Sequence, residues 1–162
     1  MQTSPRLSLR IAAVVASIAC FAPLQAFATL GGDEASIEAD RVAMNGTAGT
    51  PLAGAGYIGK RYTLPSGTVV REFLSASGVV FGVAWEGPLM PDMKRLLGES
   101  HFQAMGESMR VRNREGQRGP LLIPPKSSSS LVIESGGHMR AFAGRAYLAD
   151  QLPSGVDANE VR

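Results

Sequence analysis

The chain has 162 residues, with 16 Lys or Arg against 14 Asp or Glu and a single cysteine. One cysteine leaves no intrachain disulfide, and the length fits one domain that can bury a core without covalent staples. A formal net charge of +2 gives no lasting basic surplus for holding a phosphate backbone, so a nucleic-acid binder is not expected.

Residues 1–10 (MQTSPRLSLR) carry Arg6 and Arg10 and no acid, residues 11–25 are mainly apolar, and Ala26-Phe27-Ala28 offers a small-x-small cleavage pattern. This is the plan of a secretory signal peptide over residues 1–28, cut between Ala28 and Thr29. The apolar run falls short of the ~20 residues that span a bilayer and contains Pro23, so no membrane span is expected after its removal. Cys20 keeps a lipid anchor open as an alternative, although Ser17 stands where a lipobox normally has Leu. Cleavage after Ala28 discards Cys20 and both leader arginines. The remaining domain, 29–162, then carries 14 basic against 14 acidic groups and no thiol.

Within that domain, residues 33–44 (DEASIEADRVAM) predict a short helix, opened by acids and stopped by Asn45-Gly46. Its few apolar positions suggest a surface element. Residues 45–56 (NGTAGTPLAGAG) read as a flexible linker. Tyr57–Leu64, Thr68–Leu74 and Val79–Glu86 predict a three-stranded antiparallel meander, with short connections that each end in Gly. In the third strand, strict alternation puts Val79, Phe81, Val83 and Trp85 on a large face. Val80, Gly82 and Ala84 make a small one, where a helix is expected to pack. That helix is predicted over 92–110, with Met93, Leu97, His101, Met105 and Met109 along one seam. Residues 113–130 read as a long surface loop ending in four serines. Leu131–Glu134 and His138–Leu148 predict a second hairpin that turns at Ser135-Gly136-Gly137. The expected fold class is α+β: an antiparallel sheet with a helix packed on one face.

Catalytic chemistry is thinly supported. There are two histidines, His101 and His138, and no G-x-S-x-G elbow. No H-x-x-x-H, H-E-x-x-H or calcium-loop pattern appears, and no phosphate-cradling glycine loop, so neither a metal nor a cofactor is expected. His101 in the helix seam reads as a satisfied, partly buried side chain, and the methionines as adaptable core filler. The densest polar grouping is Glu134 to Arg145 (ESGGHMRAFAGR). In this strand His138, Arg140 and Phe142 are expected to point one way, with Glu134 across the turn pairing Arg140 or His138. Two readings stand: an exposed cross-strand charge pair, or a recognition surface of Glu134, His138, Arg140, Arg145 and Trp85 with the arginines as donors.

TLGGDEASIEADR, LPSGTVVREFLSASGVVFGVAWEGPLMPDMKRLLG and LVIESGGHMRAFAGRAYLADQLPSGV together resemble an uncharacterised exported family of proteobacteria known as a domain of unknown function. The resemblance covers nearly all of the mature chain, and ESGGHMRAFAGRAY is its most specific piece. It implies a bacterial periplasmic or secreted location and carries no activity. The expected function is a non-enzymatic binding module whose partner is another exported protein. The alternatives are a small enzyme using Glu134 and His138 as an acid/base pair, or a lipid-anchored envelope component through Cys20.

Overall fold

The computed structural model describes residues 30–116, 121–123 and 130–162. The expected signal peptide, with Cys20 and the Ala28–Thr29 junction, lies outside them, as does most of the serine-rich stretch. In chain order the elements are α1 (Glu34–Ala43), β1 (Thr47–Ala48), β2 (Leu52–Gly54), β3 (Tyr57–Thr63), β4 (Val69–Ser75) and β5 (Val80–Gly87). There follow α2 (Met93–Leu97), α3 (Glu99–Glu115), β6 (Leu121–Ile123), β7 (Leu131–His138), β8 (Ala141–Leu148) and a 3-10 turn at Ala158–Glu160. Among the described residues no helix is long and apolar enough to cross a membrane.

The chain is α+β, but dominated by its sheet. The expected meander and hairpin are parts of one antiparallel sheet of order β1-β3-β4-β5-β8-β7-β6, with β2 also paired to β3. They fuse because β5 pairs β8 from Gly82↔Tyr147 to Gly87↔Phe142. This long-range pairing has no local sequence signal. Residues 45–56, expected as a linker, carry β1 and β2 instead. Gly/Ala-rich chain here gains order by pairing its backbone with β3, in registers Thr47↔Thr63 and Leu52↔Gly59. The expected loop over 113–130 is likewise cut into: α3 runs to Glu115, and Leu121–Ile123 within it pairs β7.

Helices and sheet meet on one face. Ile37 from α1 and Leu96 and Leu97 from α2 join Tyr62, Val70, Val83, Trp85, Ile133 and Leu148 in the main core. Asp33 caps α1 by accepting from the Ser36 backbone N–H at 3.0 Å. The helix thereby presents Ile37 and Asp40 inward. It is part of the core, not the surface element its composition suggested. The predicted single helix over 92–110 is broken at Gly98, whose φ of 83° and ψ of 159° only glycine adopts readily. Leu96 and Leu97 are fully buried, whereas no residue of α3 is buried and Met109 is exposed. His101 is half-buried, and its Nδ1 lies 3.0 Å from the Leu97 carbonyl oxygen.

The faces of β5 also differ from strict alternation. The register slips between Phe73 and Leu74, which face Gly82 and Val80, so Phe81 is an extra residue. Val80 consequently joins Val83 and Trp85 on the helix-bearing side, while Phe81 joins Ala84 on the other. The helices therefore pack on the large face of β5. The small face is covered by the C-terminal segment: Val161 is fully buried with Phe73, Phe81, Ala84 and Val156. A Cβ on Gly82 would sit 3.0 Å from Val161 Cγ1. The small residue there makes room for chain that returns to the sheet, not for a helix.

Candidate functional site

The segment that stood out in the sequence forms an arm. β7 and β8 pair from Leu131↔Leu148 out to His138↔Ala141, which leaves Met139-Arg140 as the turn. The turn was expected at Ser135-Gly136-Gly137, but these residues lie within the ladder. A Cβ on Gly137 would come within 2.2 Å of the Ala141 carbonyl oxygen, so glycine is required by the closeness of the strands. Arg140 occupies the turn with a φ of 67°, a left-handed conformation disfavoured for a side chain of this kind. From Ser135 through Ala141 every residue is exposed, and Met139 at the tip is 88% exposed.

The five candidate residues separate. His138 and Arg140 are at the tip. Trp85 is 2% exposed within the main core, and among the described residues its Nε1 has no hydrogen-bond partner. Glu134 and Arg145 meet as cross-strand partners, not in the expected pairing of Glu134 with Arg140 or His138. The Arg145 Nε donates to Glu134 Oε2 at 2.7 Å. Its Nη1 donates to the Ala158 carbonyl at 2.7 Å and its Nη2 to Asn159 Oδ1 at 3.3 Å. This guanidinium thus ties Glu134 on the neighbouring strand and the C-terminal 3-10 turn together, with two of its five donors on the turn. His138 lies four residues beyond Glu134 on the same strand, about 13 Å along it. The two groups do not form an acid/base pair.

Beside the base of the arm, on the face that carries Arg145, lies an open depression of about 420 Å³. Ala84, Ala143 and Gly136 supply small residues there, and Arg71, Glu86, Glu134, Arg145 and Arg162 supply charge. Register explains the grouping. Arg71 faces Ala84, Ala84 faces Arg145, and Arg145 faces Glu134, so the four lie in one row across β4, β5, β8 and β7. Trp85 also borders this depression. The Trp85 side chain is buried in the core on the opposite face, so the depression brings together Glu134 and Arg145, with His138 and Arg140 apart from them.

Sequence reasoning missed a buried polar cluster on the opposite face. The Tyr62 hydroxyl donates to Glu72 Oε1 at 2.5 Å, with Tyr62 1% and Glu72 0% exposed. Asp40 of α1, also buried, is within 3.4 Å of Arg95 Nη1. Burial pushes the Glu72 carboxyl up to about 8; the Tyr62 hydrogen bond opposes this and the charge of Asp40 adds to it. Burial likewise raises the Tyr62 phenol far above its usual range, helped by Glu72. Glu72 is therefore neutral at pH 7. The signal was present in the alternation: Val70, Glu72 and Leu74 share one face of β4, which puts a carboxyl in a core register. With no path to solvent, the pair has a structural role and no access to a substrate.

Neither a curated protein nor a solved structure matches the chain. One family, described as Protein of unknown function (DUF2844), matches residues 26–161. That span takes in every described element, the arm and the depression beside it, and the chain belongs to this family.

Proposed function

We propose that the protein is an exported, non-enzymatic binding module that engages another exported protein of the bacterial periplasm through the β7–β8 arm. The observation that carries this reading is the arm tip. Seven consecutive residues, Ser135 to Ala141, are exposed, and they end in a large apolar side chain and a cation held in an unfavourable backbone conformation. An 88% exposed Met139 gains nothing from the fold itself. A flexible thioether suits an adaptable protein contact, and Arg140 beside it adds directional donors. Backbone strain at a turn that glycine would fill more easily also favours a contact role for the side chain.

The test places a photo-crosslinking residue at position 139, with position 107 on α3 as control, in cells that export the protein. A discrete adduct formed from 139, absent from 107 and lost on Arg140→Gly, is the expected result. No adduct from 139, or the same adducts from both positions, would refute the proposal. Intact mass of the exported protein tests the leader: an N-terminus at Thr29 without added lipid mass is expected. Diacylglyceryl mass on Cys20 would replace that reading with a lipid-anchored envelope component.

A further inference from the structure

The row of charged residues across the sheet is unevenly paired. Arg145 is occupied by Glu134, Ala158 and Asn159. Arg71 is not: its side chain is only 19% exposed, yet its one charged contact is Glu86 Oε2 at 3.9 Å, beyond hydrogen-bond reach. No hydrogen bond links the Arg71 guanidinium to any described residue. Its head nonetheless remains in contact with the depression, since Arg71 is among the residues lining it.

A second observation raises the local potential. Arg61 on β3 is the direct cross-strand partner of Arg71, so both project from the same face. Directly opposed residues hold their Cβ atoms about 5 Å apart, and like charges at that spacing repel. Arg61 is exposed and forms no ion pair with a described residue. On the other side of Arg71 the next position in the row is Ala84, and β8 lies two strands away, about 10 Å. Ala84 itself is buried beneath Val161, so the open part of the depression lies between the Arg71 guanidinium and the exposed Ala143.

We propose that Arg71, assisted by Arg61, binds an oxyanion group, carboxylate or phosphate, of a small ligand seated in this depression. A planar guanidinium with free donors matches either anion in a two-point hydrogen-bonded geometry. The anion would relieve the repulsion between the two arginines, and the space over the exposed Ala143 would accept the rest of the ligand. Glu86, 70% exposed and on the same side of the sheet, acts as a weak internal competitor for Arg71. This site is distinct from the arm tip and does not depend on the contact proposed there.

The experiment is a titration of the 15N-labelled full domain with inorganic phosphate, and separately with citrate, at constant ionic strength set by sodium chloride. Saturable shifts centred on the Arg71, Ala84 and Ala143 amides are expected for at least one anion, which also distinguishes phosphate from carboxylate recognition. Arg71→Gln should weaken binding about tenfold or more, as loss of a charged hydrogen-bond donor does. Glu86→Gln, at an exposed position that leaves the fold intact, should tighten it severalfold by removing the competitor. Linear, non-saturating shifts for both anions would overturn the proposal. So would saturable binding that Glu86→Gln leaves unchanged or weakens, whether or not Arg71→Gln folds.

Discussion

Replacing Glu72 by Gln should stabilise the protein increasingly as the pH rises. In the unfolded chain the carboxyl titrates near 4.5, and in the fold near 8, because burial penalises its charge. Between those values the native state holds a proton that the unfolded state has released. Stability therefore falls as the pH rises through this window and levels off above it. At about 1.4 kcal/mol for each pH unit, the loss is roughly 3 kcal/mol at pH 7 and about 5 kcal/mol by pH 9. Gln keeps a carbonyl oxygen for the Tyr62 hydroxyl and never ionises. Its amide nitrogen adds a pH-independent cost of about 1–3 kcal/mol if it finds no acceptor. The quantity to follow is thus the difference between variant and parent from pH 5 to pH 9, measured by urea unfolding. It should move toward the variant by several kcal/mol, mostly between pH 5 and 8. Parallel stability profiles across this range would refute the assignment of a buried, neutral carboxyl at position 72.

Two further outcomes follow from the C-terminal clasp. Arg145→Ala removes the bonds to Glu134, Ala158 and Asn159, and should cost about 2–3 kcal/mol in urea unfolding. Amide exchange at Asn159, Glu160 and Val161 should accelerate more than exchange in β3 and β4; uniform acceleration would contradict a local pinning role. Gly82→Ala places a Cβ 3.0 Å from Val161 Cγ1 and should cost about 1–3 kcal/mol. Adding Val161→Ala should recover part of that loss, and strict additivity of the two changes would mean that they do not share a contact.

The legible parts of the fold are those with local causes. Asp33 followed by helix formers predicted α1, and the glycine-ended connections predicted the β3–β4–β5 meander, with Gly67 and Gly78 at positive φ in the turns. Where a second partner decides the outcome, the local reading failed. Met93 to Met109 carries a helical spacing throughout, yet Gly98 breaks it: of that seam Leu97 is fully buried beside Leu96, Met93 and Met105 pack only partly against the core, and Met109 is exposed. Alternation along β5 was real but interrupted by a bulge at Phe81, whose position depends on pairing with β4. The double glycine at 136–137 looked like a turn because glycine commonly serves one. Here Gly137 serves close approach of two strands, while a Cβ on Gly136 would meet nothing within 4 Å.

The candidate site was legible in composition and not in geometry. ESGGHMRAFAGR marked the stretch that forms the arm, but its period-2 pattern could not say that Arg145 clasps the C-terminal turn or that Trp85 is sealed in the core. Arg71 and Glu72 are adjacent in sequence and drew no attention. The pleat sends one toward the depression and the other into the core, and their different environments follow from that alone.

By itself, then, the sequence determined the α+β class, the short-range turns and the stretch that became the arm, because each depends on neighbours within a few residues. Only the tertiary structure decided which face of the sheet carries the helices, where the C-terminal segment returns and which arginine keeps its donors open. These depend on pairings between residues far apart in the chain, above all β5 with β8, whose free energy comes from contacts that no local pattern encodes.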